Sequence, residues 1–371
     1  MSRKVRQAEM VRVLTFACVI AVHTLSTTQP LDGVTPNAVV MLLHFTREAF
    51  FVLTAFVLTV RHLDRGPRPV PFWKRRFLLV GVPYVVWTLI YTGLQWATAA
   101  PASAGQALAD LGINLGTGVG WFHLYFLLVS LQFYLLFPLF RRLMRATHGH
   151  HLLLLAASFL LQIGIDLVLH DPAPTGLKAV LLPYAGSFVL SYQFFLVLGG
   201  VVAMHLDAVV AWVRRLPWVV AAVVVVSGAG AELWYLRSVA AGQPAAFAAD
   251  VFQPVMIVWS VAVVAGFFTL GTVWRVPRVI DLASERSFGV FLVHPAILWA
   301  LTVAGTVLAL PSPWSSVVAY LAAVAGSLLV VEILRRTPLS LPLTGKGRPR
   351  TPETRRPPLR VGALRREGGM T

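Results

Sequence analysis

Cysteine occurs once in this chain, at Cys18, so neither a disulfide framework nor a cysteine-based zinc site can be built from it. Charge is scarce: Asp, Glu, Lys and Arg make up 12% of the 371 residues, and only 15 residues are acidic. No connection between apolar runs is long enough to fold as a domain of its own. The run Asn114 to Gly120 lacks the spacing and the lysine of a phosphate-binding loop, and is expected to be flexible backbone ahead of a span. A basic lead-in, Arg3, Lys4 and Arg6, precedes the first apolar run, yet no small-x-small cleavage site follows. That run is therefore expected to be retained rather than removed as a signal peptide.

Apolar surface dominates what is present. A chain that is 57% hydrophobic with a mean hydropathy of +0.75 is not an ordinary soluble globule; the expected fold is an all-α polytopic membrane bundle. Apolar runs near the length of a bilayer crossing place about ten transmembrane helices at 9–29, 38–60, 77–99, 120–140, 151–170, 184–205, 216–236, 251–272, 287–309 and 314–334. Basic residues alternate between connections. Arg61, Arg65, Arg68, Lys74, Arg75 and Arg76 fill the second, Arg141, Arg142 and Arg145 the fourth, Arg214 and Arg215 the sixth, and Arg275, Arg278 and Arg286 the eighth. By the positive-inside rule these connections and both termini are expected to be cytoplasmic. The same distribution argues against nucleic acid as the partner of the +16 net charge. Two regions follow: a transmembrane domain over 1–336, and a basic tail over 337–371 that is expected to be disordered. Ten Lys or Arg against two Glu from Arg335 onward, the end of the last span and the tail together, carry half of the net charge, suited to anionic lipid.

The organising stretch is the first span, because Arg12 and His23 interrupt its apolar run. Eleven residues at about 100° each bring both side chains to nearly one face, roughly 16 Å apart along the axis. Ionisable groups at membrane depth are costly and tend to face protein or a water-filled cavity. A sheltered imidazole is neutral at pH 7, as a general base or nucleophile requires. Guanidinium groups suit phosphate, so Arg12, Arg75 and Arg76 at the inner mouth are candidates to hold a phosphorylated donor. In the second span His44, Arg47 and Glu48 cluster in the outer half. Glu48 is a candidate to orient His23, although an Arg47–Glu48 ion pair bracing the bundle explains those two residues equally well. His123 is expected in an interfacial aromatic belt at the outer surface. His294 precedes Pro295, which deprives the ninth helix of one hydrogen bond. The spacing of His148, His150 and His151 carries no metal signal, and no metal is expected.

These elements, in this order, resemble the acyltransferase-3 family of integral-membrane O-acyltransferases. The resemblance rests on Arg12 and His23, Phe50-Phe-Val-Leu-Thr-Ala-Phe56, Phe72-Trp-Lys-Arg-Arg76 with Pro83-Tyr84, Trp121-Phe-His-Leu-Tyr-Phe126 with Tyr134 and Pro138, Phe194-Phe-Leu-Val-Leu-Gly199, and Ser287 to His294. Thr54-Ala55 stands where the family has Ser-Gly, and Leu79 where a second arginine is usual. His44-Phe-Thr-Arg-Glu48 is similar to the branch near the adhesin-polysaccharide proteins. The resemblance implies transfer of an acyl group, commonly acetyl, from cytoplasmic acyl-CoA to a hydroxyl of a carbohydrate-containing acceptor, in a bacterial plasma membrane. It makes His23 the catalytic base or transient acyl carrier. Arg47 is then a candidate for stabilising an oxyanion. An exporter of polysaccharide or glycolipid, or another transporter, uses buried charges in a similar way. A catalytically dead scaffold is the third reading.

Overall fold

A computed structural model describes residues 6–30, 32–63, 66–274, 277–305 and 310–348, and contains helices and turns but no strand among them. The chain enters along α1 (Arg6–Thr28) and returns through α2 (Val34–Leu43) and α3 (Thr46–Arg61). It crosses again through α4 (Pro69–Arg76) and α5 (Val82–Thr98), then turns through α6 (Ala104–Thr117). The next pair is α7 (Tyr125–Ala146) and α8 (His151–Leu169), followed by α9 (Gly176–Leu181) and α10 (Gln193–Met204). A short α11 (Leu206–Arg215) leads into α12 (Pro217–Ala240), α13 (Ala245–Ala248) and α14 (Pro254–Val273). The bundle closes with α15 (Arg278–Val303), α16 (Trp314–Arg336) and α17 (Ser340–Thr344).

Among the described residues nine helices or helix pairs are long and apolar enough to cross a membrane, and a pair bent by 59°, Gly176–Ser187 and Val189–Met204, makes ten if it counts as one span. The protein is a multi-pass membrane protein. Leu152, Leu160, Val225, Val226 and Leu329 stay exposed on α8, α12 and α16, as surfaces facing hydrocarbon do. One end of the bundle, where α1 begins and α3 and α16 finish, carries Arg61, Arg141 and Arg336 and is called the basic end here. α1 is the central staff: it packs against α2, α3, α14, α15 and α16.

The departures from uniform helices have local causes. The crossing expected over 38–60 is broken at His44 and Phe45, which frees His44 to bond outside its own helix. In the bent pair Pro183 cannot donate a backbone hydrogen, and the helix gives way to two 3₁₀ turns, Leu182–Ser187 and Val189–Tyr192. Side chains then satisfy the freed backbone. Gln132 donates to Ser187 O at 2.7 Å and accepts from Val189 N at 2.9 Å, and Gln162 donates to Ser191 O at 2.9 Å. Non-helical backbone at this depth is tolerated only with such partners. Pro83 likewise has no N–H for Leu79 O, and the helix widens into a π turn over Phe77–Gly81.

Two expectations are corrected. Asn114 to Gly120 is not a flexible run: Asn114 ends inside α6, is buried, and donates to Thr92 Oγ1 at 2.9 Å and Gln95 Oε1 at 3.1 Å. Gly118 then turns at φ 74°, where a Cβ would lie 2.6 Å from Tyr125 Cα, so only glycine lets this loop fold back against α7. The chain after Arg336 is not uniformly disordered either, because residues 337–348 fold back as α17 and a turn against α5, α15 and α16. Half-buried Leu341 and Leu343 and the hydroxyls of Ser340 and Thr344, which donate to Lys346 O and Ser340 O, supply what the surrounding Pro and Arg composition conceals. Residues 349–371 lie outside the described residues.

Candidate active site

The site is built along the staff, α1, in four layers. At the basic end, Arg12, Arg76, Ser284 and Lys346 line a cavity of about 320 Å³ together with Phe16, Phe50 and Phe126. Arg12 donates to Glu9 at 3.2 Å and Ser284 at 3.0 Å, and Ser284 is in turn hydrogen-bonded to Glu9. The guanidinium of Arg76 lies over the rings of Phe72 and Tyr134, 5.4 and 5.2 Å from their centroids. Arg75, one residue earlier and about 100° away around the helix, is exposed and does not line the cavity. The sequence treats the two arginines as equivalent; the helix separates them.

Above the cavity four phenylalanines from four helices close a neck. Phe16 and Phe50 have centroids 4.5 Å apart, Phe50 and Phe126 5.1 Å, and Phe291 sits 5.6 Å from both Phe16 and Phe126. Tilted and edge-on geometry at these distances is attractive for aromatic rings, so the cluster is a stable closure.

His23 lies beyond the neck, and its Nδ1 is 2.8 Å from Nε2 of His294. The protonation pattern follows from the next bond out. His294 Nδ1 is 3.2 Å from the carbonyl of Val290, which only accepts, so Nδ1 carries the hydrogen. In neutral rings His294 Nε2 is then the acceptor and His23 Nδ1 the donor. That leaves the lone pair on His23 Nε2, the arrangement a general base or nucleophile needs. His294 is fully buried whereas His23 keeps partial exposure. His123 joins them: its ring centroid is 5.7 Å from that of His294, it is 2% exposed, and both ring nitrogens lack a hydrogen-bond partner. The expectation of an interfacial His123 is thereby corrected; Gly118 and the turn after it carry Trp121, Phe122 and His123 inward. Trp121 Nε1 is also buried without a partner.

The fourth layer is a cavity of about 480 Å³ at the opposite end, lined by Arg47, Trp121, Phe122, Tyr125, Asp250 and Phe252 among others. Phe122 is its floor: the ring lies 4.3 Å from that of His23 and is 46% exposed. Arg47 rests over Phe252 at 5.0 Å and Tyr125 at 5.9 Å. Asp250 is half-buried, which opposes its ionisation, but His170, with Nδ1 3.5 Å away, and the Arg47 charge hold its carboxyl below the usual range. Across the rim, the Lys178 ammonium donates to Asp171 at 2.5 Å and also lowers that carboxyl.

The remaining sequence candidates fall elsewhere. His44 Nδ1 donates to Ala249 O at 2.7 Å and serves as a brace for the loop before α14. Glu48 is 3% exposed, its Oε2 has no hydrogen-bond partner, and the nearest strong charge it feels is Arg47. No hydrogen bond joins Glu48 to His23; His294 holds that position.

A model described as an acyltransferase domain, that of the acyltransferase-3 family, matches residues 6–334, from the first turn of α1 to the last turns of α16. The chain belongs to that family. Neither the curated proteins nor the solved structures yield a match. As an acyltransferase-3 protein it is a membrane acyltransferase, and all four layers lie within the matched segment apart from Lys346.

Proposed function

We propose that this acyltransferase-3 protein takes an acyl group, acetyl first among them, from acyl-CoA at the basic end and places it on a hydroxyl of a carbohydrate-containing acceptor at the opposite end. The basic end then faces the cytoplasm, and the membrane is the plasma membrane of a bacterium. The observation that carries this reading is the stacking along α1 of a cationic cavity, a neck of four phenylalanines, an imidazole with its free lone pair directed by His294, and an aromatic cavity beyond. Phosphates suit the arginines. The pantetheine arm is thin and largely uncharged, which suits a passage lined by Phe16, Phe50, Phe126 and Phe291. Sugar rings present apolar faces that pack on Phe252 and Trp121, and hydroxyls that reach Asp250.

In the transfer, His23 Nε2 takes the proton of the acceptor hydroxyl while its oxygen attacks the thioester carbonyl. The carbon–sulfur bond breaks, the ester remains on the acceptor, and the departing thiolate takes the proton from the His23 imidazolium. His294 accepts from Nδ1–H throughout and keeps the tautomer. If His23 instead carries the acyl group on Nε2, the kinetics become ping-pong. Arg47, on the same cavity as Phe122, is placed to favour the oxyanion.

The test supplies acyl-labelled acetyl-CoA to membranes containing wild type, His23→Ala or His294→Asn. Label entering envelope carbohydrate only with wild type, and weakly with His294→Asn, supports the reading. Glycan crossing the membrane without acquiring label identifies a transporter instead.

A further inference from the structure

We propose that the turn following α17 is the third wall of the donor cavity and that Lys346 binds a phosphate of the nucleotide part of acyl-CoA, beside Arg12 and Arg76. This rests on the donor assigned above. The turn is a built element. Trp87 Nε1 donates to Leu343 O at 3.1 Å, Thr344 Oγ1 donates to Ser340 O at 2.7 Å, and Ser340 Oγ donates to Lys346 O at 2.7 Å. Gly345 at φ 64° lets the backbone enter: a Cβ there would lie 2.4 Å from Phe288 and 2.7 Å from Leu79 O, the carbonyl that Pro83 leaves without its helical partner. Leu79 contributes no charge to the cavity wall, so the cation on this side is Lys346.

Lys346 Nζ spends one donor on Glu285 O at 2.6 Å, which leaves two N–H groups and the whole charge. The side chain is half-buried among Arg12, Arg335, Glu9 and Glu285, and burial pushes its ammonium below the ordinary lysine range. A desolvated cation lining a cavity with two arginines recovers that loss when an anion arrives. A tail lysine that serves only to attract anionic lipid has no reason to be half-buried beside α15 in the wall of a cavity.

The experiment measures binding of CoA to purified full-length protein in neutral-lipid nanodiscs, for wild type, Lys346→Gln and Lys346→Arg, with pantetheine, which lacks every phosphate, as the comparison ligand. Neutral lipid removes headgroup phosphate as a competing anion. Lys346→Gln is expected to weaken CoA binding about tenfold, the loss of one hydrogen bond to a charged group, with Lys346→Arg close to wild type. The difference between wild type and Lys346→Gln is expected to vanish with pantetheine. Wild type that binds CoA while Lys346→Gln binds it equally well overturns this inference alone, and so does an equal weakening for both ligands. Wild type that does not bind CoA refutes the donor itself.

Discussion

The two cavities at the ends of α1 are built on opposite plans. The one at the basic end gathers cations, Arg12, Arg76 and Lys346, on its walls, while the nearby carboxylates stand behind them, Glu9 held against Arg12 and Ser284 and Glu285 near Lys346. The one at the opposite end is larger and balances its charges: Arg47 with Asp250, Lys178 with Asp171, among Trp121, Phe122, Tyr125 and Phe252. An uncompensated cluster of cations awaits an anion, whereas a neutral aromatic cavity selects by shape and hydrogen bonds. On the proposed function, the comparison implies that the two substrates enter from opposite ends and meet at His23, with Phe291 and its neighbours on one side and Phe122 on the other.

The strongest way to break the comparison is to remove the meeting point. His23→Ala is expected to lower kcat by about 10²- to 10⁴-fold, the range of general acid–base catalysis, with protein levels unchanged, as read by label transfer. His294→Asn follows at about ten- to a hundredfold, because it forfeits one charge-assisted hydrogen bond but leaves the base in place. At the basic end, Arg76→Ala is expected to raise the KM for acyl-CoA about tenfold with kcat largely kept, while Arg75→Ala, on the exposed face, stays within about twofold. At the opposite end, Phe252→Ala is expected to raise the KM for acceptor about two- to tenfold, as loss of one aromatic contact does, without moving the KM for donor. A variant at either end that shifts both constants equally would show that the cavities are not separate sites.

Much of this arrangement is legible in the sequence, and the rest is hidden for identifiable reasons. Arg12 and His23 can be assigned to one face of one helix because a long unbroken apolar run fixes the period, and α1 keeps it over its whole length. The second crossing is interrupted at His44 and Phe45, and the place beside His23 Nδ1 falls to His294 rather than to Glu48. Nothing local announces that role: His294 lies 271 positions from His23, and its one sequence signal is Pro295 behind it. Arg75 and Arg76 look alike until the start of α4 sets which of them faces inward. Lys346 is masked by composition, since the Pro, Gly and Arg content after Arg336 reads as an unfolded tail while Leu341, Leu343 and the hydrogen bond from Trp87 to Leu343 O hold its first dozen residues to the bundle.

The most direct test of the central claim uses oriented proteoliposomes with acyl-labelled acetyl-CoA confined to one side and envelope carbohydrate acceptor to the other. Transfer is predicted only when the labelled donor faces the end that carries Arg12 and Arg76, and it is predicted to disappear with His23→Ala. Equal transfer from the opposite side, or transfer that survives the loss of His23, would contradict the account.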